Sequence, residues 1–426
     1  MLNTKEEKER IVLVGVDFGK KDFNLESSMI ELADLVEAAE GTVVYQITQN
    51  RERPESATYI GLGKIEEVMQ AVATYDADTV VFNDELSGSQ IRNLESMIGC
   101  KIVDRTNLIL DIFALRATTA EGKLQVKLAQ LKYRLPRLVG YSDYLSRTGG
   151  GIGTRGPGEQ KLELDRRYIQ REIMHVQNAL LKTEENREIT RNKRLNSTLP
   201  IISFVGYTNA GKSTLMNAIL KNGDPLSEEK HVFVKDMLFA TLEPSLRKAR
   251  LNNGLNVILT DTVGFVSKLP HTLVEAFKGT LEEIKYSDLI IHVVDASNPD
   301  LNIQMDTTYE MLRDLEVLDR KIITVFNKMD CAIDNEITSY QNEFGNRMYI
   351  SAHDPKDIDR LVDAIEVELE ADFKKVSFAI PFEDLGVLDV LASNYEIIGL
   401  TYTETGAQFR AVIRESDQKR YQQYII

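Results

Sequence analysis

The run Gly206-Tyr207-Thr208-Asn209-Ala210-Gly211-Lys212-Ser213 fits the spacing G-x-x-x-x-G-K-[ST] and is followed by Thr214. That spacing lets successive backbone N–H groups form a concave nest around phosphates, with the positive end of the next helix behind them. Lys212 supplies a cation for the terminal phosphates, and the Ser213 hydroxyl is a hard oxygen ligand for Mg²⁺. Further along, Asp261-Thr-Val-Gly264 is a D-x-x-G run. Its carboxylate suits a position near the same Mg²⁺, and the Gly264 amide can sense a γ-phosphate. Between them, Phe239-Ala-Thr241 offers a loop threonine able to ligate the metal only while γ-phosphate is present, with Phe239 beside it at the nucleotide. Lys212, Thr241 and Gly264 are therefore the candidate catalytic groups, and Ser213, Thr241 and Asp261 the candidate metal ligands.

Base choice is written in Asn327-Lys328-Met-Asp330. A carboxylate at Asp330 accepts from the N1–H and N2–H₂ of guanine, donors that adenine lacks. Asn327 and Lys328 would support the base and the phosphate loop, and the backbone of Ser351-Ala352 can meet the guanine carbonyl. With four short motifs in this order, each ending an apolar strand-like run, the region resembles a translation-factor-class GTPase domain, which implies binding of GTP and GDP.

The elements that must hold these groups follow from periodicity. Residues 201–205, Ile-Ile-Ser-Phe-Val, are rich in β-branched and apolar side chains, a strand emptying into the phosphate loop. Residues 1–117 alternate strand-like runs (11–18, 42–49, 79–83, 101–104) with helix-like ones (29–39 behind Ser28 as N-cap, 64–74, 90–98, 108–115). That alternation predicts a small α/β subdomain with a largely parallel sheet. Its turn Gly61-Leu-Gly63-Lys64 opens a helix, where a tight turn is more often purely structural and a second anion site is the minority reading. Between 118 and 197, Leu124, Leu128, Leu131 and Leu135 make one helical stripe, and Leu162, Ile169, Ile173, Val176 and Leu180 another. They predict a helical hairpin whose second arm is about 40 Å long at ~1.5 Å per residue. Residues 198–372 form the GTPase domain. Residues 373–426 read as a small α+β unit, with strands at 376–380, 399–402 and 408–414 and a helix at 388–398. The fold class is thus an α/β multidomain protein built around a P-loop GTPase domain.

The hairpin connection, 136–158, has no periodicity but collects glycines with Arg137, Tyr141, Tyr144, Arg147 and Arg155. Guanidinium and ring faces stack on bases, and glycine lets backbone approach phosphates, so these are candidate contacts for RNA or another polyanionic partner. From 121 to 194, 16 Lys/Arg stand against 9 Asp/Glu, a basic segment in a chain of net charge −15. The overall acidity argues against whole-molecule nucleic-acid binding, whereas a local basic patch is an electrostatic footprint.

Composition excludes other classes. No apolar run is long enough to span a membrane, and the first ten residues are too charged for a signal peptide. Cys100 and Cys331 have no metal or redox spacing. A reducing cytoplasm is the expected location.

The chain resembles the HflX family of ribosome-associated GTPases nearly end to end. Beyond the nucleotide motifs, the resemblance rests on Gly61-Leu-Gly-Lys64-Ile-Glu-Glu, Glu85-Leu-Ser-Gly-Ser-Gln90, Asp104-Arg-Thr-Asn-Leu-Ile-Leu-Asp111 and Glu121-Gly-Lys-Leu-Gln-Val-Lys-Leu. Its most specific parts are Gly150-Gly-Ile-Gly-Thr-Arg155-Gly-Pro-Gly-Glu159 and Leu162-Glu-Leu-Asp165-Arg-Arg167, with Gln160-Lys161 departing from the commonest pattern. The resemblance implies an N-terminal α/β subdomain, a helical hairpin, the GTPase domain and a small C-terminal domain. It also implies binding to the large ribosomal subunit, with the hairpin tip toward the peptidyl-transferase region, a monomer away from the ribosome, and splitting or rescue of stressed ribosomes. Some family variants protect that region from antibiotics.

Two residues bear on hydrolysis. Phe265 follows Gly264, where many GTPases place a glutamine that orients water. A phenyl ring cannot do this, so turnover is expected to be slow unless the ribosome accelerates it; the competing roles are that the ring packs into the core or that a nearby backbone group positions the water. Asn209 is a candidate K⁺ ligand, as in GTPases with a similar loop, and equally a residue that tolerates turn geometry. Two other functions compete: an ATP-dependent rRNA remodeller using the Gly61–Lys64 turn, and a GTP-dependent switch for a protein partner.

Overall fold

The computed structural model describes residues 8–19, 24–138, 157–195, 199–223, 245–253, 255–268, 281–332, 346–370, 373–395 and 397–426. Their contacts divide the chain into two units. The first runs to Lys182 and also takes in 266–268; the second holds the remainder.

In the first unit, β-branched runs become four parallel strands in the order β2-β1-β3-β4: β1 Arg10–Asp17, β2 Thr42–Asn50, β3 Thr79–Phe82 and β4 Lys101–Asp104. The intervening helices are α1 Leu25–Ala38, α2 Leu62–Tyr75 and α3 Gly88–Ile98, followed by α4 Arg105–Arg116. Helix α1 starts before the expected Ser28. Asn24 caps it, its side-chain oxygen accepting from the N–H of Glu26 at 3.0 Å and of Ser27 at 3.4 Å. Ser28 instead lies on the buried face and bonds Asn83. Ser87 and Gln90 form a reciprocal capping box at α3.

Helices α5 Ala120–Leu138 and α6 Pro157–Leu195 follow. Leu128, Leu131, Ile169 and Val176 bury against one another, with Leu124, Leu135, Ile173 and Leu180 alongside. The expected stripes thus form the seam, except that the side chain of Leu162 lies outside the described residues. Burying each of those four is worth about 1.5–3 kcal/mol. The 39 residues of α6 span about 58 Å at ~1.5 Å per residue, longer than expected, because the apolar stripe marks only its packed part.

The segment 266–268 is tied into this unit. Arg105, 2 % exposed, donates to Asn83 at 2.8 Å, Glu31 at 2.6 Å and the Ser267 hydroxyl at 3.0 Å. Ser267 donates to Glu31, and Lys268 pairs with Asp84.

In the second unit a six-stranded sheet has the order β10-β9-β8-β5-β7-β6. Its strands are β5 Ile201–Gly206, β6 Ser245–Arg250, β7 Asn256–Asp261, β8 Leu289–Asp295, β9 Lys321–Asn327 and β10 Asn346–Tyr349. All pair in parallel except β6, antiparallel to β7. Helices α7 Lys212–Gly223, α8 Leu301–Asp314 and α9 Pro355–Glu370 accompany them. One core joins Ile202 and Phe204 of β5, Ile291 and Val293 of β8, Leu215 and Ile219 of α7, and Leu361 and Ile365 of α9. The chain leaves β5 for β6 and β7 on one side and returns to β8 on the other. The crevice at the carboxyl ends beside β5 is the switch point where open α/β sheets bind ligands.

The same unit contains β11 Phe373–Pro381, α10 Leu385–Asn394, β12 Ile397–Tyr402, β13 Gly406–Arg414 and α11 Glu415–Tyr421. The strands form an antiparallel sheet ordered β11-β13-β12 over Phe378, Leu391, Phe409 and Ile413. Arg414 lies over the Phe373 ring and grips Asp288, just before β8, with both carboxylate oxygens at 2.8 and 3.1 Å. The division after Lys182 falls within the expected hairpin, 118–197, and 266–268 of the expected GTPase domain belongs to the first unit.

Candidate nucleotide site

The phosphate loop leaves β5 through two glycines that no other residue could replace in this geometry. Gly206 has φ +145, and a Cβ there would lie 2.1 Å from the Val293 carbonyl oxygen. Gly211 has φ +95, and its Cβ would lie 2.3 Å from the Asn327 amide nitrogen. Asn209, exposed at φ +60, uses the tolerance of asparagine for left-handed backbone. Tyr207, Thr208 and Ala210 complete the loop, and Thr214 lies in the first turn of α7.

Lys212 opens α7 and is 7 % exposed. Its Nζ donates to the carbonyls of Gly206 at 3.1 Å and Tyr207 at 2.7 Å. Burial pushes its ammonium down to about 8, opposed by the Asp261 carboxylate. His292, in β8, is buried and pushed down to about 3 by burial and then by Lys212, so it is neutral at physiological pH. Its ring stands edge-on to Tyr309 at 5.1 Å.

The Ser213 hydroxyl donates to Asp261 Oδ2 at 2.6 Å. Two hard oxygen donors so close, one anionic, at the mouth of a phosphate loop form a donor set that fits Mg²⁺. Among the described residues no group of three or more His, Cys, Asp or Glu could hold a metal ion. Thr241 and Phe239 lie outside the described residues.

Gly264 sits directly over the loop, where a Cβ would meet Thr208 Cα at 2.8 Å and Lys212 Nζ at 3.0 Å. Phe265 is bound to the loop through its backbone, donating to the Gly206 carbonyl at 3.1 Å and accepting from the Thr208 N–H at 2.7 Å. Its ring is 2 % exposed. The side chain is thus core, the first of the competing roles noted above.

At the carboxyl end of β9, Asn327 clips three loops together. It donates to the Ala210 carbonyl at 2.9 Å and accepts from the Ala352 N–H at 3.0 Å. Asp330 is exposed, and its carboxyl is held below the usual range by a Ser351 hydrogen bond and then by Cys331. It is therefore an ionised acceptor facing solvent. The Ser351 N–H donates to Asp357 at 2.8 Å, which sets the loop before α9. Lys328, at φ +62, pairs with Asp295 at 2.7 Å. Asp295, Ser297 and His292 are not marked by the motifs; the only sequence signal for Asp295 was an acid ending an apolar strand.

Outside this site the structure bears on two further readings. Arg137 is spent internally: it donates to Glu85 at 2.8 Å, the carbonyls of Leu86 at 2.9 Å and Tyr133 at 3.0 Å, and buried Asp104 at 3.3 Å. Its guanidinium covers the Tyr133 ring at 3.5 Å. It is an anchor for α5, not a free rRNA contact. Tyr141, Tyr144, Arg147 and Arg155 lie outside the described residues. The Gly61–Lys64 turn is also committed: the Gly61 N–H goes to Gln49 at 3.2 Å, and Lys64 pairs with Glu67 at 2.6 Å.

The sheet order, the loop and the residues converging on it define a P-loop nucleotide-binding protein. Residues 26–114 match a family model described as GTP-binding GTPase N-terminal, 116–194 one described as GTP-binding GTPase Middle Region, and 201–328 one described as 50S ribosome-binding GTPase. GTPase HflX of Caldanaerobacter subterraneus subsp. tengcongensis is 47 % identical over 99 % of this chain and 94 % of its own length. Those of Lacrimispora saccharolytica and Escherichia coli are 44 % and 39 % identical, over 97 % and 88 % of this chain and 95 % and 86 % of their own. The chain belongs to the HflX family of GTPases.

Proposed function

We propose that this GTPase is a nucleotide-timed factor of the large ribosomal subunit, which it splits from or rescues in stressed ribosomes. The observation that carries the proposal is the coincidence of two footprints in one chain. One is the match of 201–328 to a family described as ribosome-binding; the other is the basic segment 121–194 with its Gly/Arg connection. Phosphate binding by 206–214, with Lys212 as the buried cation, sets the nucleotide, and Asp330 with Asn327, Lys328 and the Ser351–Ala352 backbone selects guanine. Ser213 and Asp261 would hold Mg²⁺, which neutralises phosphate charge when bound. Thr241 and Gly264 would report the γ-phosphate. Asn209 is proposed as a K⁺ ligand, tested by comparing turnover in KCl and NaCl at matched ionic strength.

With its ring buried, the Phe265 side chain does not orient water, so large subunits are expected to raise turnover well above the free rate. Arg147, Arg155, Tyr141 and Tyr144 would contact rRNA in the peptidyl-transferase region, the place where protection from antibiotics would act. A cytoplasmic monomer away from the ribosome fits this work.

Sedimentation with ribosomes in a non-hydrolysable GTP analogue tests the proposal. Co-migration with the large subunit, lost on replacing Arg147 and Arg155 by Glu, is the expected result. No co-migration in any nucleotide state overturns it, and RNase-insensitive binding to a protein would point to a switch for a protein partner instead.

A further inference from the structure

We infer that Asp295 is a positioning residue for guanine-nucleotide binding, acting through Lys328. The inference rests on assigning Asn327–Asp330 to the base, and it adds a residue from a different strand.

Asp295 is the last residue of β8 and stands in register with Asn327, the last of β9. The ladder continues one step, with the Ala296 N–H donating to the Asn327 carbonyl at 2.9 Å. Asp295 therefore shares the rim on which the base-reading run begins. Its two oxygens are divided. Oδ1 accepts from the Ser297 N–H at 3.0 Å and the Ser297 hydroxyl at 2.6 Å, which fixes the carboxylate plane. Oδ2 takes the Lys328 ammonium at 2.7 Å.

Lys328 is pinned at its other end as well. Its backbone is left-handed at φ +62, and its carbonyl accepts from the Cys331 N–H at 2.9 Å. A lysine stem has four carbons and the freedom of several rotamers. Here both of its ends are tied, and the ion pair is only partly exposed, at 32 % for Lys328 and 12 % for Asp295. A flexible side chain that must lie against a ligand costs affinity when it is ordered on binding; one ordered beforehand does not. The carboxylate thus prepares the Lys328 stem as a support for the base, and Ser297 prepares the carboxylate.

The test measures binding and dissociation of a fluorescent GDP by the full chain carrying Asp295→Asn, Lys328→Met or both. Asp295→Asn keeps an oxygen for Ser297 and removes the charge. It is expected to weaken GDP binding about tenfold, mainly through faster release, the order expected for freeing one long side chain. In the Lys328→Met background the same change should cost nothing further. Equal penalties in both backgrounds, or none in either, overturn the inference. Unchanged GDP binding by Lys328→Met alone overturns instead the assignment of Lys328 to the base. If Asp295→Asn does not fold, Ser297→Ala removes only the orienting hydroxyl and runs the same cycle, with a smaller loss expected that again vanishes beside Lys328→Met.

Discussion

Ser213 and Asp261 belong to two nucleotide motifs 48 residues apart, yet the hydroxyl of one donates to the carboxylate of the other at 2.6 Å. The pairing follows from strand order. Strand β7 lies directly beside β5, with Phe204 in register with Asp261, so the end of one strand faces the start of the helix that follows the other. Replacing either residue removes an oxygen from the candidate Mg²⁺ site. Asp261→Asn and Ser213→Ala are each expected to shift the Mg²⁺ requirement of GTP turnover upward by about tenfold or more. A Mg²⁺ titration of GTP turnover reads this, and chelation of the metal should abolish turnover in the unaltered chain.

The Lys212 ammonium is held at about 8 by burial. A bound phosphate favours the charged form, so binding is strongest where Lys212 is already protonated and weakens as pH rises through 8. GDP affinity should fall about tenfold between pH 7 and pH 9, following the protonated fraction. Lys212→Arg, which stays charged, should flatten that profile even if its absolute affinity is lower. A flat profile in the unaltered chain would count against the buried ammonium as the phosphate cation.

Asp330 is proposed to offer its ionised oxygens to the donors of guanine. Asp330→Asn should lower GTP affinity by at least about a hundredfold, the loss of charge-assisted bonds worth about 1.5–3 kcal/mol each. Because an amide can donate to the 2-oxo group of xanthine, the same variant should gain affinity for xanthosine triphosphate. Competition binding with the two nucleotides separates this reversal from general damage to the fold.

Arg137 anchors α5 on the buried carboxylate of Asp104. That carboxyl is raised by burial and brought down by its bonds to Leu86, Tyr133 and Asn107 and by the charge of Arg137. Arg137→Ala removes the cation and should destabilise the chain by about 2–4 kcal/mol, seen as a lower denaturation midpoint. Arg147→Ala and Arg155→Ala should leave that midpoint unchanged. The contrast separates an arginine spent on the fold from arginines proposed for rRNA.

Local pattern was enough to place β1 through β4, the helices between them and the phosphate loop, because alternation of period 2 and 3.6 reports which face is buried. The two stripes of the hairpin were equally legible, since Leu128 and Val176 bury on the faces that their spacing marks. Helix starts were less so: Asn24 took the cap expected of Ser28 because Ser28 had a partner, Asn83, 55 residues away. No local signal carries a bond of that span.

By itself the sequence determined the chemistry of the nucleotide site. Glycines at φ +145 and +95, a lysine at the helix start and a carboxylate after Asn-Lys are requirements of residue type, readable in any order of folding. Only the tertiary structure decided which polar groups are free to act. Arg137 looked available and is consumed by Asp104, whereas Asp295 looked ordinary and holds Lys328. The reason is physical: a charged side chain must find a partner wherever it is buried, and strand order, not spacing along the chain, determines which partner lies within reach.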